Sequence, residues 1–162
     1  MRQAAPDSAV RGASRVLVAG VGNVLRGDDG FGPAVAARLD HLPARVNVIE
    51  TGIGGIALLQ ELMTGYDGVV LIDAVERGAR PGTVFVITPE VGDGVHVPDV
   101  HLANPDRVLS MAKTMGVLPQ RVAIVGCQPA EVDELSEELS PAVGRAVSTA
   151  VAKIEEILDA WL

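Results

Sequence analysis

The chain has 162 residues, which is enough for one domain with a single substantial core and too few for two comfortable domains. Its formal net charge is −8 and its 13 Lys and Arg residues form no cluster, which argues against a nucleic-acid partner because binding a polyanion depends on basic side chains. No apolar run approaches the roughly 20 residues that cross a membrane, and one cysteine cannot form an internal disulfide, so we expect a cytoplasmic protein with no membrane partner.

The N-terminal residues predict a leader rather than part of the fold. They contain an early Arg but also an Asp, and they lack the apolar stretch of a secretory signal peptide. We therefore expect a flexible leader over residues 1–14 and a single domain over residues 15–162.

From the leader to residue 72, short apolar runs alternate with segments of helical spacing. Arg15–Ala19 predicts a first strand, and Pro33–Leu39 predicts a helix whose proline lies in the first turn, where its missing N–H costs nothing. Val46–Glu50 predicts a second strand. Apolar residues then recur at helical spacing over Ile56–Met63, just before a glycine that can end a helix, and Gly68–Ile72 is a fully apolar third strand.

The rest of the chain continues this alternation. Thr83–Ile87 predicts a fourth strand, which should run antiparallel to its predecessor because the connection is too short for a helical crossover. Residues 90–100 predict a mobile loop. Asn104 and the proline after it can begin a helix, Arg121–Val125 predicts a fifth strand, and Ser140 can begin a long final helix with one apolar face.

This order of elements predicts a single-domain α/β fold. We expect a three-layer sandwich of about five mostly parallel strands with helices on both faces. The strands consist of continuous aliphatic runs, as is typical of strands that are buried on both faces. In such sheets ligands bind outside the carboxyl ends of the parallel strands, so polar side chains at those ends are the first candidates for a functional site.

A glycine-rich turn with two aspartates follows the first strand and reads GVGNVLRGDDGFG over residues 20–32. A dinucleotide fingerprint requires glycine at the sixth position, where this chain has Leu25, and the Gly-Lys-Ser/Thr of a phosphate loop is absent. Asp28 and Asp29 would also repel a phosphate. The turn therefore favours a cation site or acid–base chemistry, although one of the two aspartates could serve only to cap the following helix.

Two further residues could join this turn in a metal site. Asp73 ends the third strand, and it would lie at the same sheet edge as the turn if the first and third strands are neighbours. His101 precedes the helix that begins near Asn104. Two carboxylates and an imidazole suit nickel or zinc better than calcium or magnesium. Taken singly, Asp73 could merely cap a loop, and His101 could be a solvated surface residue with His96 as a competitor.

Signatures of a covalent nucleophile are weak. No serine lies in a Gly-x-Ser-x-Gly elbow. Cys127 could act as a nucleophile paired with His101, or it could be a small, partly buried thiol.

Five motifs occur in order along the chain: GVGNVLRGDDGFG (20–32), LIDA (71–74), HLANPDRVL (101–109), VGCQP (125–129) and LSP (139–141). Together they resemble the motifs of the hydrogenase maturation proteases, the endopeptidases that trim the C-terminal extension from the large subunit of NiFe hydrogenases. The first motif is specific, whereas the others are persuasive only in combination.

The resemblance implies a function and a site. Asp29, Asp73 and His101 would form a metal-binding cleft and carry both the metal and the catalytic roles, with the choice between Asp28 and Asp29 left open. The partner would be a NiFe hydrogenase large-subunit precursor, and the metal would be the nickel which that substrate already holds, with no organic cofactor. The protease would sense the nickel and cleave beyond the substrate's C-terminal metal-binding cysteine motif.

Alternatives from other functional classes stay open. The protein could be a non-catalytic, nickel-dependent binding or checkpoint module for an immature metalloenzyme, and peptide-bond hydrolysis separates this from the protease. A nucleotide-binding regulatory domain is testable by titration with ATP or NAD. The acidic loop Glu131–Glu138 either contacts the substrate or is only solvated.

Overall fold

The computed structural model describes residues 12–92 and 105–162. The strands are β1 (Val16–Val21), β2 (Val46–Gly52), β3 (Gly68–Ala74), β4 (Val84–Ile87) and β5 (Arg121–Cys127). The helices are α1 (Phe31–Ala36), α2 (Gly55–Leu62), α3 (Pro105–Thr114) and α4 (Pro141–Trp161), and a 3-10 turn over Gly27–Gly30 leads into α1. All five predicted strands and all four predicted helices are therefore present in the described residues.

The five strands form one sheet in the order β2-β1-β3-β5-β4. β1 pairs in parallel with both β2 and β3, β3 pairs in parallel with β5, and β4 pairs with β5 in antiparallel orientation. The predicted orientation of the fourth strand is thus correct, but β5 lies between it and β3. This places β3 in the interior of the sheet with parallel neighbours on both sides, which agrees with its fully apolar sequence.

Helices cover both faces of the sheet. Since alternate strand residues point to opposite faces, each strand contributes side chains to both helical layers. On one face, α1 and α4 pack over Val16, Val18, Val70, Ile72 and Val125. On the other face, α2 and α3 pack over Leu17, Ala19, Val69, Leu71 and Ile124. This arrangement is the predicted three-layer sandwich.

In two helices the buried residues are not the same as the apolar residues that the sequence pattern picked out. In α2 the buried side chains are Leu58 and Leu62, whereas Ile56 and the following Met63 are more than half exposed. In α4 the face that meets the sheet also contains Ala146 and Ala150, which the larger apolar residues of the pattern did not reveal. Small side chains at these positions let the helix lie close to the strands.

Among the described residues, no helix is long and apolar enough to cross a membrane. Most of the predicted leader, residues 1–11, and most of the predicted loop, residues 93–100, lie outside the described residues. The leader and the boundary at residue 15 stay predictions.

Two glycines allow α1 to pack directly on the sheet. A Cβ atom on Gly20 would lie 2.5 Å from the carbonyl oxygen of Gly32. A Cβ atom on Gly32 would lie within 3.0 Å of the carbonyl oxygens of Val21 and Ile72. Backbone atoms cannot yield as a flexible side chain can, so this contact between helix and strands requires glycine. Close helix–strand packing is therefore achieved here without the sixth-position glycine of a dinucleotide site.

We expect Gly32→Ala to destabilise the protein by about 2–3 kcal/mol, because the added methyl group must push α1 away from β1 and β3. Urea denaturation followed by circular dichroism measures this change. Gly144→Ala is a matched control, since a Cβ at Gly144 meets nothing within 4 Å and alanine in an exposed helix interior is favourable by about 0.5–1 kcal/mol. Equal stability of the Gly32→Ala variant and the wild type would contradict the close-packing argument.

Candidate functional site

A cavity of about 600 Å³ opens at the carboxyl edge of the sheet, where β1, β2 and β3 end. Its wall combines the turn after β1, the ends of β2 and β3, the end of β4 and the first turn of α3. The lining residues include Asn23, Arg26, Asp29, Gly52, Ile53, Asp73, Glu76 and Asp106. This is the position at which ligands bind in parallel sheets, as the sequence predicted.

Asp29 reaches the cavity from the 3-10 turn before α1. Its Oδ2 atom accepts a hydrogen bond from the backbone N–H of Asn23 at 2.8 Å, which fixes the carboxylate at the mouth of the turn. Gly22 makes this fold of the turn possible, because its φ of 136° is unfavourable for other residues and a Cβ there would collide with the Asp29 backbone. Asp29 is half-buried and lines the cavity.

Asp28, the neighbouring aspartate, points into the protein and is 1% exposed. Its carboxylate accepts hydrogen bonds from the backbone N–H groups of Ala130, Glu131 and Ser140 at 2.8, 3.0 and 2.7 Å. It also accepts one from the Ser140 hydroxyl at 2.9 Å. Burial alone would raise the pKa of Asp28, but these hydrogen bonds outweigh burial and hold the pKa below its ordinary value of 3.8.

The structure therefore divides the two aspartates between different tasks. Asp29 faces the cavity, whereas Asp28 anchors the segment that contains the acidic loop Glu131–Glu138 and the residue before α4. The expectation that one aspartate caps the following helix is wrong, because α1 has no side-chain cap hydrogen bond. Asp28 instead stabilises a distant loop and the start of α4.

Asp73 is the second carboxylate of the cavity and lies one residue before the end of β3. Because β1 and β3 are hydrogen-bonded neighbours, the turn after β1 and Asp73 share one edge of the sheet. Burial and, secondly, the negative charge of Asp29 raise the pKa of Asp73 to about 7, although the hydrogen bond from the backbone N–H of Ala74 opposes the shift. A group with this pKa can exchange a proton near neutral pH, and a cation in the cavity would offset the repulsion between the two carboxylates.

The third predicted site residue, His101, lies outside the described residues. Pro105 and Asp106, the first described residues after His101, line the cavity. Within residues 12–92 and 105–162, no group of three His, Cys, Asp or Glu side chains is placed to hold a metal ion. The structure thus brings together Asp29 and Asp73, and the assignment of His101 stays a prediction.

Sequence reasoning missed three charged residues of the cavity wall, namely Arg26, Glu76 and Asp106. Glu76 follows Asp73 by three residues, and its Oε1 atom accepts hydrogen bonds from Gln128 Nε2 at 2.7 Å and from the Gly78 N–H at 3.0 Å. These two bonds lower the pKa of Glu76. Its position just beyond the end of β3 was the sequence signal that could have made Glu76 a candidate cavity residue.

Gln128 explains the motif VGCQP in structural terms. Its side chain is 3% exposed, and its Oε1 atom accepts hydrogen bonds from the backbone N–H groups of Arg77 and Ala79 at 2.8 and 3.1 Å. Together with its bond to Glu76, this amide holds the loop that forms one wall of the cavity. Gln128 therefore supports the site without lining it.

Cys127 lies in the hydrophobic core between the sheet and the α1–α4 layer and is fully buried. Burial raises the pKa of its thiol to about 11, with a further contribution from the charge of Asp28. The residue does not line the described cavity. Its environment is that of a small buried thiol and opposes a role as nucleophile.

The raised pKa of Asp73 predicts that stability depends on pH. The folded protein holds this proton up to about pH 7, whereas the unfolded chain releases it near its ordinary value, so stability falls as pH rises between these values. We expect Asp73→Asn to remove this penalty and to stabilise the metal-free protein by up to about 4 kcal/mol at about pH 8, with little difference at about pH 4.

Urea denaturation at several pH values, with chelator present, measures this difference. Asp159→Asn makes the same chemical change at an exposed position of α4 and is the control. A stability gain in Asp73→Asn that does not grow with pH would contradict the environment described for Asp73.

Comparison with known proteins identifies the family. The family model for hydrogenase maturation protease (HycI) matches residues 34–157, which is more than half of the chain. The hydrogenase expression/formation protein HupD of Rhodobacter capsulatus is 34% identical over 153 residues, an alignment that covers 91% of this chain and 72% of HupD.

Solved structures agree with this assignment. The hydrogenase maturating endopeptidase HybD from E. coli superposes with a TM-score of 0.76 at 27% identity, covering 90% of this chain and 92% of HybD. The hydrogenase 2 maturation peptidase from a Thaumarchaeota archaeon is 36% identical with a TM-score of 0.69, covering 89% of this chain and 97% of that peptidase. These similarities confirm both the α/β fold and the resemblance carried by the sequence motifs. The chain is an endopeptidase of the hydrogenase maturation protease family.

Proposed function

We propose that this protein removes the C-terminal extension of a NiFe hydrogenase large-subunit precursor after nickel has been inserted. In this proposal Asp29, Asp73 and His101 engage the nickel that the substrate carries. The observation that supports it best is the convergence of Asp29 and Asp73, from two separate motifs, on one open cavity at the carboxyl edge of the sheet. The reaction would take place in the cytoplasm, in keeping with a single, buried cysteine.

The two carboxylates suit a cation that arrives with its substrate. Asp29 is held by only one described hydrogen bond, from Asn23, so it has acceptor capacity left for a ligand. Burial and the charge of Asp29 both disfavour the ionised form of Asp73 and so raise its pKa. A nickel ion presented with open coordination positions would relieve this repulsion, and two oxygen ligands with one imidazole form a reasonable set for it.

Cleavage would then be tied to completed metal loading. A precursor without nickel would leave the two carboxylates facing each other without a cation, and its C-terminal extension would be poorly held. A nickel-loaded precursor would place the bond beyond its metal-binding cysteine motif beside the ion. There the ion can polarise the scissile carbonyl or activate a water molecule, which are the two general uses of a metal in hydrolysis.

Intact-mass analysis of an unprocessed large subunit tests the proposal directly. The precursor is incubated with this protein, once loaded with nickel and once with nickel withheld. We expect loss of a C-terminal peptide only in the nickel-loaded sample. Cleavage in both samples would retain the protease and remove the nickel checkpoint. Complex formation without cleavage in either sample would instead support a non-catalytic, nickel-dependent binding module.

A further inference from the structure

Beside the cavity, the described surface carries three exposed aliphatic side chains close together: Val24, Leu25 and Leu135. Leu135 is 90% exposed, and the other two are about half exposed. Single exposed aliphatic residues are ordinary on protein surfaces, but a contiguous group next to a functional cavity marks an interaction site.

Backbone pairing brings Leu25 and Leu135 together. Arg26 and Ser136 form a parallel bridge, and the Ser136 N–H donates to the Leu25 carbonyl oxygen at 2.9 Å. This pairing holds the two chain segments side by side, so the residues that precede the bridged pair, Leu25 and Leu135, lie on neighbouring segments. Both leucines are exposed, and we call these two side chains the ridge, although 110 positions separate them in the sequence.

The loop that carries Leu135 is anchored rather than loose. Asp28 binds backbone N–H groups on both sides of it, at Ala130 and Ser140. Within it, Glu131 Oε1 accepts hydrogen bonds from the Asp133 and Glu134 N–H groups at 2.6 and 3.1 Å. An anchored loop that holds an aliphatic side chain out in solvent is preorganised for contact with a partner.

A groove of about 230 Å³ lies beside this ridge, and we call it the side groove. Its lining residues are Val24, Gly30, Pro33, Ala34, Glu50, Glu137 and Leu139. The two glutamates among them are exposed, and the other five residues are apolar or glycine; we call these five the floor. Neither glutamate forms an ion pair with any residue of the described chain. A lysine or arginine side chain matches this arrangement, because its aliphatic stem can lie on the floor while its charged end meets the carboxylates.

The surroundings extend the same charge preference. The loop Glu131–Glu138 contains five acidic residues and no basic residue. Arg26, which follows Leu25, is paired with Asp133 of this loop through an Nη2–Oδ1 contact of 3.3 Å. A basic partner segment would be attracted to this surface and an acidic one repelled.

The side groove and the cavity are adjacent along two chain segments. Val24 lines the groove, whereas Asn23 and Arg26 line the cavity; on β2, Glu50 lines the groove and Gly52 lines the cavity. An extended chain can therefore cross from one to the other over two or three residues.

We propose that the side groove and the ridge of Leu25 and Leu135 dock a basic segment of the large-subunit precursor, with a Lys or Arg side chain in the groove and an apolar side chain on the ridge. The inference rests on the proposed function, since it names the precursor as the occupant. Docking here would hold the precursor while its C-terminal extension enters the cavity.

Binding of nickel-loaded precursor to variants of this protein tests the docking surface. The double variant Glu50→Lys/Glu137→Lys reverses both groove charges, and Leu135→Ser removes the exposed ridge side chain. We expect the double variant to weaken the affinity by about tenfold or more, and Leu135→Ser by about threefold to tenfold. Added salt should weaken wild-type binding, and it should weaken binding of the double variant less.

Control substitutions lie at exposed residues outside the groove and the ridge. Asp159→Lys makes one charge reversal on α4, and Met63→Ser removes a side chain that is 57% exposed. Both should bind the precursor within about twofold of wild type. Circular dichroism and thermal unfolding verify that every variant is folded.

The outcomes separate this inference from the proposed function. Wild-type affinity in both groove and ridge variants, with normal processing, would overturn the docking surface and leave the protease proposal standing. If wild-type protein neither binds nor cleaves nickel-loaded precursor, both proposals fail. If the substitutions change the oligomeric state in sedimentation while precursor binding is unaffected, the surface is an interface between copies of this chain and the docking proposal is wrong.

Discussion

Asp73→Asn should reduce processing of nickel-loaded precursor by about a thousandfold, or roughly 4 kcal/mol in transition-state free energy, while the protein stays folded. Asparagine has nearly the shape of aspartate, so the end of β3 and the cavity wall should be retained. What is lost is the negative charge and one oxygen that would engage the cation. Single-turnover cleavage followed by intact mass measures the effect.

Stability provides an independent check on this first substitution. Because Asp73 is held at a raised pKa of about 7, its removal should stabilise the protein above that pH. Loss of activity together with a gain in stability identifies a residue that is kept for function rather than for folding. Asp159→Asn should change neither property. Normal processing by Asp73→Asn would remove Asp73 from the site, and His101→Ala tests the remaining assignment in the same assay.

Asp28→Ala should destabilise the protein by about 3–5 kcal/mol. The substitution leaves the N–H groups of Ala130, Glu131 and Ser140 without their acceptor and detaches the start of α4 from the turn before α1. Urea denaturation near neutral pH measures the loss. Asp29→Ala is the matched comparison, because Asp29 accepts one described hydrogen bond, from Asn23, and its removal should cost only about 1 kcal/mol.

The effect of Asp28 should also depend on pH with a defined sign. Its folded pKa lies below the ordinary value of 3.8, so its charge contributes stability above that value. This contribution is lost as pH falls through the lowered folded pKa. The gap between wild type and Asp28→Ala should therefore shrink on acidification. A gap that stays constant down to the lowest accessible pH would show that the hydrogen bonds do not depend on the charged carboxylate.

The two substitutions together separate neighbouring functions within one edge of the fold. Asp28 and the cavity residue Asp29 are adjacent in the chain, yet one should affect mainly stability and the other mainly activity. This division explains why a glycine-rich turn carries two aspartates. The pair joins a cavity-facing carboxylate to an anchor for the loop whose surface we propose as the docking site.

Much of the architecture could be predicted from the sequence, because its signals are local. Continuous aliphatic runs such as Gly68–Ile72 indicated strands buried on both faces. Helical spacing and the Ser140-Pro141 start indicated α4. The position of Asp73 at the end of a strand made it a candidate, since ligands bind at the carboxyl edge of parallel strands.

Other features could not be predicted, because they depend on contacts between distant segments. β5 lies between β3 and β4 in the sheet. The sequence of a strand does not indicate which strands it will pair with. The same holds for Gln128, whose side chain supports the loop at Arg77 and Ala79 from the end of β5. Gln128 also orients the Glu76 carboxylate in the same loop.

The sequence by itself determined the order of strands and helices and the sheet edge where a site would lie. Its motifs also indicated the protein family. Only the tertiary structure decided which of Asp28 and Asp29 faces that site. The reason is that Asp28 obtains its partners 102 to 112 residues later in the chain. Hydrogen bonds over such separations exist only once the whole domain has folded, so no local pattern can record them.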